Sequence, residues 1–115
     1  MPYEPKLRHL FKILFRVRDV QAAEGLYFEG TYLNDQGDTK GAREAFDHAR
    51  RIDRQFAGAH YNYAALTERM KGSGREALAA WKDYLKAAET DRRQARATVE
   101  AVRKHVEELE KKPPT

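Results

Sequence analysis

Four histidines, at positions 9, 48, 60 and 105, are the side chains of this 115-residue chain best suited to acid–base catalysis or metal binding. None of them forms a catalytic arrangement of recognised spacing with serine and carboxylate, or a histidine pair at metal-binding spacing. No glycine-rich phosphate loop occurs, and the absence of cysteine excludes disulfides, thiolate zinc sites and cysteine nucleophiles. We therefore expect no enzyme activity, no catalytic residue, no bound metal and no cofactor.

Positive charge is concentrated at the two ends of the chain, which carries 22 basic and 18 acidic residues. Five basic and two acidic residues give +3 over residues 1–21, while ten against eleven give −1 over residues 22–89. Seven against five give +2 over residues 90–115. A nucleic-acid-binding domain concentrates its charge more strongly, so we expect no nucleic-acid partner. No apolar run approaches the roughly 18 residues of a membrane span, and no secretory signal opens the chain, so we expect a cytoplasmic location and no membrane partner.

The elements that must carry any binding site are helices. Apolar residues recur at helical spacing, and alanine, leucine and charged residues with high helix propensity dominate. Breaks lie at Gly37-Asp38, at 53–56, at 72–74, at Thr90-Asp91 and at Pro113-Pro114. Asp38 and Thr90 are predicted N-caps, and Ser73 with Glu76 has the spacing of a capping box. The pattern predicts an all-α fold with helices over approximately 5–21, 22–36, 39–53, 57–71, 74–89 and 91–111.

An internal repeat connects the middle helices. Four positions recur at a spacing of 34 residues: Ala23, Leu26, Tyr27 and Gly30 correspond to Ala57, His60, Tyr61 and Ala64. Three later positions recur at a spacing of 35 residues: Ala42, Phe46 and Ile52 correspond to Ala77, Trp81 and Ala87. Small residues at such positions let two helices approach closely, and the aromatic residues fill the space between neighbouring hairpins. A repeat of this length predicts stacked helical hairpins.

The repeated residues resemble the tetratricopeptide repeat family, with one unit over 23–56 and a second over 57–90. The chain departs from the family pattern at Arg54, at Thr67 and at Tyr84, where proline, an aromatic residue and a small residue are usual. The resemblance implies one domain, 1–115, built as a short solenoid of about five to six helices. Residues 5–21 would be an N-terminal helix or half repeat, and residues 91–112 a C-terminal capping helix.

The resemblance also implies a function, the binding of a peptide or partner segment in a concave groove. The groove positions of the first unit are Glu24, Tyr27, Thr31, Asn34 and Asp35, and those of the second are Gly58, Tyr61, Asn62, Ala65, Glu68 and Arg69. The relatives that clamp the C-terminal carboxylate of chaperones use basic residues and asparagines on this face. Tyr27 and Thr31 stand in place of that lysine and asparagine, so this chain lacks the cationic clamp.

The two flanking helices leave other functions open. An apolar stripe on the first helix is expected to pack on the first unit, and it comprises Leu7, Leu10, Phe11, Leu14 and Val17. The last helix has a narrower apolar stripe, which is typical of a capping helix with one solvent-exposed face; the stripe comprises Ala95, Val99, Val102, Val106 and Leu109. Open solenoid ends or the last helix could instead drive self-association as a structural scaffold. The basic residues within 6–18 around Phe11 and Phe15 would also suit anchoring to an anionic surface.

Overall fold

The computed structural model describes residues 5–70 and 72–112, with side chains from residue 8 onward. Within these residues the chain forms five helices and no strand. They are α1 (Pro5–Asp35), α2 (Thr39–Ile52), α3 (Ala57–Glu68), α4 (Gly74–Ala88) and α5 (Arg96–Lys111). Each helix packs chiefly on its neighbours in the sequence. The predicted all-α class with helical hairpins is therefore confirmed.

The first helix is continuous over 31 residues, so the predicted boundary near Gln21 is wrong. The stretch from Arg18 to Glu24 contains neither glycine nor proline, and most of its residues are good helix formers. The backbone therefore continues without a turn, and one long helix replaces the two that were expected.

Short turns join α1 to α2 and α3 to α4. Gly37 and Gly72 both have positive φ angles, of 86° and 80°, which glycine adopts without steric cost. The Asp38 side chain accepts a hydrogen bond from the Gly41 N–H at 2.9 Å, which confirms the predicted N-cap of α2. The sequence signals at these two turns therefore correspond to real chain reversals.

The core contains the small and aromatic residues of the repeat. A Cβ placed on Gly30 would lie only 2.7 Å from Phe46 Cε1, so this glycine is what allows the Phe46 ring to pack against α1. Ala42 is fully buried, and Phe46 and Trp81 are 3% and 5% exposed. The expectation that these residues pack between the helices is confirmed.

Residues 8–18 of α1, which we call the arm, extend beyond the rest of the fold. All of their side chains are exposed, including those of Leu10, Phe11, Leu14 and Val17. The expectation that this stripe packs on the first unit is therefore wrong; the side chain of Leu7 lies outside the described residues. Because α1 is a continuous helix through Gln21, the arm does not fold back onto the rest of the chain. The molecule is accordingly long, with extents of 60 × 31 × 24 Å.

The remaining helical body, residues 23–70 and 72–111, is called the bundle below. One ion pair ties the arm to it: Arg16 Nη1 donates to Asp53 Oδ1 at 2.8 Å, and Arg16 Nη2 donates to Gln55 at 2.9 Å. Arg16 therefore lies on the side of α1 that faces the bundle, as Ala23 and Gly30 do. With 3.6 residues per turn, Leu10 and Leu14 lie on roughly the opposite side.

One predicted helix start, that of the last helix, and one predicted capping interaction, that of Ser73, differ from those observed. Helix α5 begins at Arg96 rather than at 91, and Asp91 instead accepts a hydrogen bond from the Ala57 N–H at 3.3 Å, at the start of α3. The Ser73 hydroxyl donates to the carbonyls of Thr67 and Met70, so it does not cap α4. The sequence pattern placed Asp91 in the first turn of the last helix and Ser73 at the cap of α4. In the structure both side chains form hydrogen bonds with other parts of the chain.

The two departures from the family pattern that fall in the second unit, at Thr67 and Tyr84, are both accommodated. Thr67 is fully buried, and its hydroxyl accepts a hydrogen bond from Arg43 Nε at 2.8 Å. Tyr84 is also fully buried, and its hydroxyl donates to Gln94 Oε1 at 2.7 Å. Each polar atom that the substitution introduces into the core is thereby satisfied, as burial requires.

Candidate peptide-binding cleft

A cleft of about 440 Å³ opens where α5 packs on the second hairpin, formed by α3 and α4. Its floor is aromatic, and its α5 wall consists mostly of small side chains. The lining residues are Tyr61, Trp81, Ala97, Thr98, Ala101, Val102 and His105. A concave, mainly apolar site with a few polar groups is the usual form of a binding pocket in proteins.

Glu68 fixes the two aromatic rings at one end of the cleft. Its Oε1 atom accepts a hydrogen bond from Trp81 Nε1 at 3.0 Å and contacts His105 Nε2 at 2.5 Å. The rings of Trp81 and His105 are nearly perpendicular, with centroids 5.7 Å apart. One carboxylate thus connects α3, α4 and α5, which holds the cleft open in a defined shape.

The ring of Tyr61 forms the opposite part of the floor. It makes edge-to-face contacts with Trp81, at a centroid distance of 5.0 Å, and with Tyr84, at 5.4 Å. Burial raises the pKa of Tyr84, so its phenol stays neutral at physiological pH. The floor beneath the cleft is therefore aromatic and uncharged, and it suits an apolar side chain.

The corresponding tyrosine of the first unit has different surroundings. The ring of Tyr27 packs against Phe46 and Phe56, at centroid distances of 5.5 and 5.0 Å. Helix α3 lies directly beside it, since a Cβ on Gly58 would be 3.5 Å from Tyr27 Cε2. Tyr27 therefore contributes to packing between α1, α2 and α3, whereas Tyr61 faces a cleft because α5 starts late.

The predicted groove residues lie on α1 and α3, apart from Arg69, which directly follows α3. Tyr61 lines the cleft and Glu68 holds its rim, so the structure brings these two together with Trp81 and His105. Partly buried positions are Glu24, Tyr27, Gly58, Asn62 and Ala65, and exposed ones are Thr31, Asn34, Asp35 and Arg69. The Thr31 hydroxyl donates to the Tyr27 carbonyl at 3.0 Å, within its own helix. A binding role for these residues stays a prediction.

The α5 side of the cleft was not predicted. The last helix was interpreted as a cap or as an element of self-association, and its buried residues Val102 and Val106 do pack on the bundle. The signal that could have revealed the cleft is the pair Ala97 and Ala101, four residues apart, followed by His105. Small residues at this spacing leave room along one helix face beside the bulky rings of the neighbouring hairpin.

A second cavity, of about 590 Å³, lies at the C-terminal ends of α2 and α4. Its basic residues include Arg50, which is paired with Asp47 at 2.9 Å and with Asp83 at 3.4 Å. His60 also lines it, and its Nε2–H donates to the Arg54 carbonyl at 2.9 Å, while the buried Nδ1 has no partner. Burial lowers the pKa of His60, which is therefore neutral, as expected for a histidine in a packing position.

Other kinds of site receive no support from the part of the chain that the structure describes. Its histidines and carboxylates form no group of three that could hold a metal ion. None of its helices is both long and apolar enough to cross a bilayer. No protein-family model, no curated protein and no solved structure matched the chain.

Proposed function

We propose that this chain is an interaction module that binds a segment of a partner protein without catalysis, and that the cleft between α3 and α5 is its principal site. The observation that carries this proposal is the open aromatic floor formed by Tyr61 and Trp81. A volume of about 440 Å³ lies within the range of roughly 300–1,000 Å³ usual for ligand sites. We place this activity in the cytoplasm, in keeping with the composition of the chain.

We further propose that the two hairpins are units of the tetratricopeptide type. The support is the repeat of 34 positions together with the packing of its residues. Gly30 contacts the ring of Phe46 in the first hairpin, and Ala64 and Trp81 are both buried in the second. In this arrangement α5 takes the position of a following helix, and the cleft belongs to the concave side of a short solenoid.

The chemistry of the cleft favours a particular kind of peptide. Its aromatic floor and alanine wall suit a large apolar side chain, because burial of such a side chain supplies most of the affinity at interaction hot spots. Thr98 and His105 add polar side chains to the α5 wall of the cleft, and we propose that they hydrogen-bond to the peptide backbone. We therefore propose a segment with one aromatic or aliphatic anchor, and no charge at the anchor position.

The test is selection from a random-peptide library, followed by substitution of the cleft wall. Ala101→Trp should fill the cleft and abolish binding of the selected peptides, because Ala101 is exposed and the new ring needs no space in the core. Ala79→Trp, at an exposed position on α4 away from the cleft, is the matched control and should leave binding unchanged. Selected peptides that bind equally to both variants would contradict the proposal.

Nuclear magnetic resonance would then show how far the site extends. Peptide-induced shifts confined to Tyr61 and to α5 would restrict the site to the cleft. Shifts that also include Thr31, Asn34 and Asp35 would extend it along the groove that the family resemblance implies. Shifts restricted to α2 and the C-terminal end of α4 would place the ligand in the second cavity and overturn the assignment.

A further inference from the structure

An exposed apolar stripe follows the side of α1 that faces away from the bundle. Five of its members are large and well exposed: Leu10 at 52%, Leu14 at 62%, Val17 at 47%, Phe28 at 67% and Tyr32 at 63%. We call this row the outer stripe, and it also includes the exposed residues Gln21 and Gly25. It runs over about 33 Å of helix, at 1.5 Å per residue. Its large apolar residues form two exposed groups, at 10–17 and at 28–32, with Gln21 and Gly25 between them. Exposed apolar patches of this kind mark interaction sites.

The outer stripe is symmetric about its middle residue, Gln21. Val17 and Gly25 lie four positions to either side, Leu14 and Phe28 lie seven, and Leu10 and Tyr32 lie eleven. A second α1 running in the opposite direction would therefore place Leu14 beside Phe28 and Leu10 beside Tyr32. Val17 would meet Gly25, where nothing of the same chain lies within 4 Å of an added Cβ. Each large residue thus meets a complementary position.

The charges of α1 select the direction of such a pair. Residues 8–18 contain the basic residues Arg8, Lys12, Arg16 and Arg18 and no acidic residue. Residues 22–35 contain Glu24, Glu29 and Asp35 and no basic residue. Lys12 and Arg16 lie on the side of α1 that faces the bundle, whereas Arg18 and Glu24 flank the outer stripe. An antiparallel pair centred on Gln21 sets Arg18 beside Glu24 of the other copy, whereas a parallel pair sets Arg18 beside Arg18. Complementary charge of this kind determines register and orientation at interfaces.

We propose that the chain forms a symmetric dimer in which two α1 helices pack antiparallel along their outer stripes, with the two-fold axis at Gln21. Such an interface is isologous, since the same patch serves both copies. The two bundles lie on the far sides of the helix pair, because Ala23 and Gly30 face away from the outer stripe. Each arm then covers Phe28 and Tyr32 of the other copy.

This arrangement explains two features that a monomer leaves unexplained. A single helical segment as short as the arm is marginally stable in water without tertiary contacts. In the dimer the arm packs on a neighbouring helix over its whole length. The half repeat that the sequence pattern predicts in front of the first unit is then present, but a second copy of the chain supplies it.

An anionic lipid surface is a poorer occupant of the same stripe. It would attract the basic arm, but it would also bring Glu24, Glu29 and Asp35 close to anionic headgroups. Phe28 and Tyr32 lie in that acidic half, so a lipid surface would cover only the arm portion of the stripe. A second copy of the chain would cover both the arm portion and the acidic portion of the outer stripe, and we therefore propose it as the partner.

Disulfide trapping tests the proposal cleanly, because the native chain has no cysteine. Gln21→Cys should form a covalent dimer under mild oxidation, since position 21 faces its own copy at the axis. A mixture of Leu14→Cys and Phe28→Cys proteins should give the mixed dimer. Leu14→Cys alone should not cross-link, because its two copies would be about 21 Å apart along the helix pair. Efficient cross-linking of Leu14→Cys on its own would overturn the antiparallel arrangement, because a parallel pair would place Leu14 beside Leu14 of the other copy.

Sedimentation of the cysteine-free protein provides the second measurement. The native chain should sediment as a dimer, and Leu14→Gln should shift it at least tenfold toward the monomer at equal concentration. Phe15→Gln is the matched control: Phe15 is exposed in the same arm but lies off the outer stripe, so the dimer should persist. A native monomer that binds phosphatidylserine vesicles through Leu14 would overturn the dimer in favour of a lipid surface. Both variants lie outside the cleft, so either result leaves the peptide-binding test independent.

Discussion

The two halves of α1 have similar apolar content and very different surroundings. The arm contains six large apolar residues, and all of them are exposed: Leu10, Phe11, Ile13, Leu14, Phe15 and Val17. In the second half Ala23 and Gly30 are buried, and Leu26, Tyr27 and Leu33 are partly buried against the core. Apolar content alone therefore does not decide which part of a helix enters a core.

Two physical differences explain the contrast. The first is the face: on the bundle side, the second half presents Ala23 and Gly30, which allow close packing, whereas the arm presents Lys12 and Arg16. The second is the length of the partner helix: α2 has only 14 residues, whereas α1 has 31. Helix α2 ends near the middle of α1, where Asp53 binds Arg16. Beyond that point the bundle has no helix against which the arm could pack.

The bundle and the arm should differ most in the stability that is lost when one phenylalanine in each is replaced by alanine. Phe46→Ala removes a ring that is 3% exposed and should lower the free energy of unfolding by about 3–5 kcal/mol. Phe15→Ala removes a ring that is 53% exposed and should change it by less than about 0.5 kcal/mol. Urea denaturation at one protein concentration measures both. Equal losses would mean that the arm packs on the bundle in solution.

A pair of glycine substitutions within α1 should give the next largest difference. Gly30→Leu forces a side chain into the Phe46 ring, and overpacking of this kind costs about 1–3 kcal/mol. Gly25→Leu meets open space within its own chain and replaces glycine by a better helix former, so the monomer should be as stable as the native monomer or more stable. Thermal melting checks both. A destabilised Gly25→Leu monomer would show that the outer side of α1 is covered by its own chain.

The junction between arm and bundle should contribute less. Arg16→Gln removes the ion pair with Asp53, and because the Arg16 side chain is 45% exposed we expect a loss of at most about 1 kcal/mol. Arg18→Gln, which removes an exposed arginine two residues further on, should be nearly neutral. The Arg16 effect should shrink as salt is added. A loss independent of salt would point to packing rather than charge.

The smallest difference should be in how a histidine of the bundle and a histidine of the arm affect stability, and it should appear only at acidic pH. Because burial keeps the pKa of His60 below its ordinary value of 6.5, the unfolded chain takes up a proton at this position before the folded chain does. Stability should therefore fall as the pH drops below 6.5, with no effect at pH 7.5 and above. His60→Gln should flatten this slope, whereas His9→Gln, at an exposed arm position, should leave it unchanged. An unchanged slope in His60→Gln would assign the acid sensitivity to other groups.

Much of the fold was predictable because its signals are local. Asp38 and Gly37 mark the first turn by their own conformational preferences, and the glycines at 72 and 74 mark another. The repeat identified Gly30 and Phe46 as packing residues, and their contact in the structure agrees with it. Part of the candidate site was also predictable, since Tyr61 and Glu68 were chosen from the repeat and lie at the cleft.

The sequence by itself determined the all-α class, the approximate positions of α2, α3 and α4, and the small and aromatic residues between the helices, because periodicity and caps act over a few residues. Only the tertiary structure decided where the polar side chains at helix ends find partners, as with Asp91 at the start of α3. It likewise decided that the apolar residues of the arm lie outside the core and that Ala97 and Ala101 face Tyr61 across a cleft. These outcomes depend on which distant groups come within reach, and that follows from the lengths and packing of whole helices.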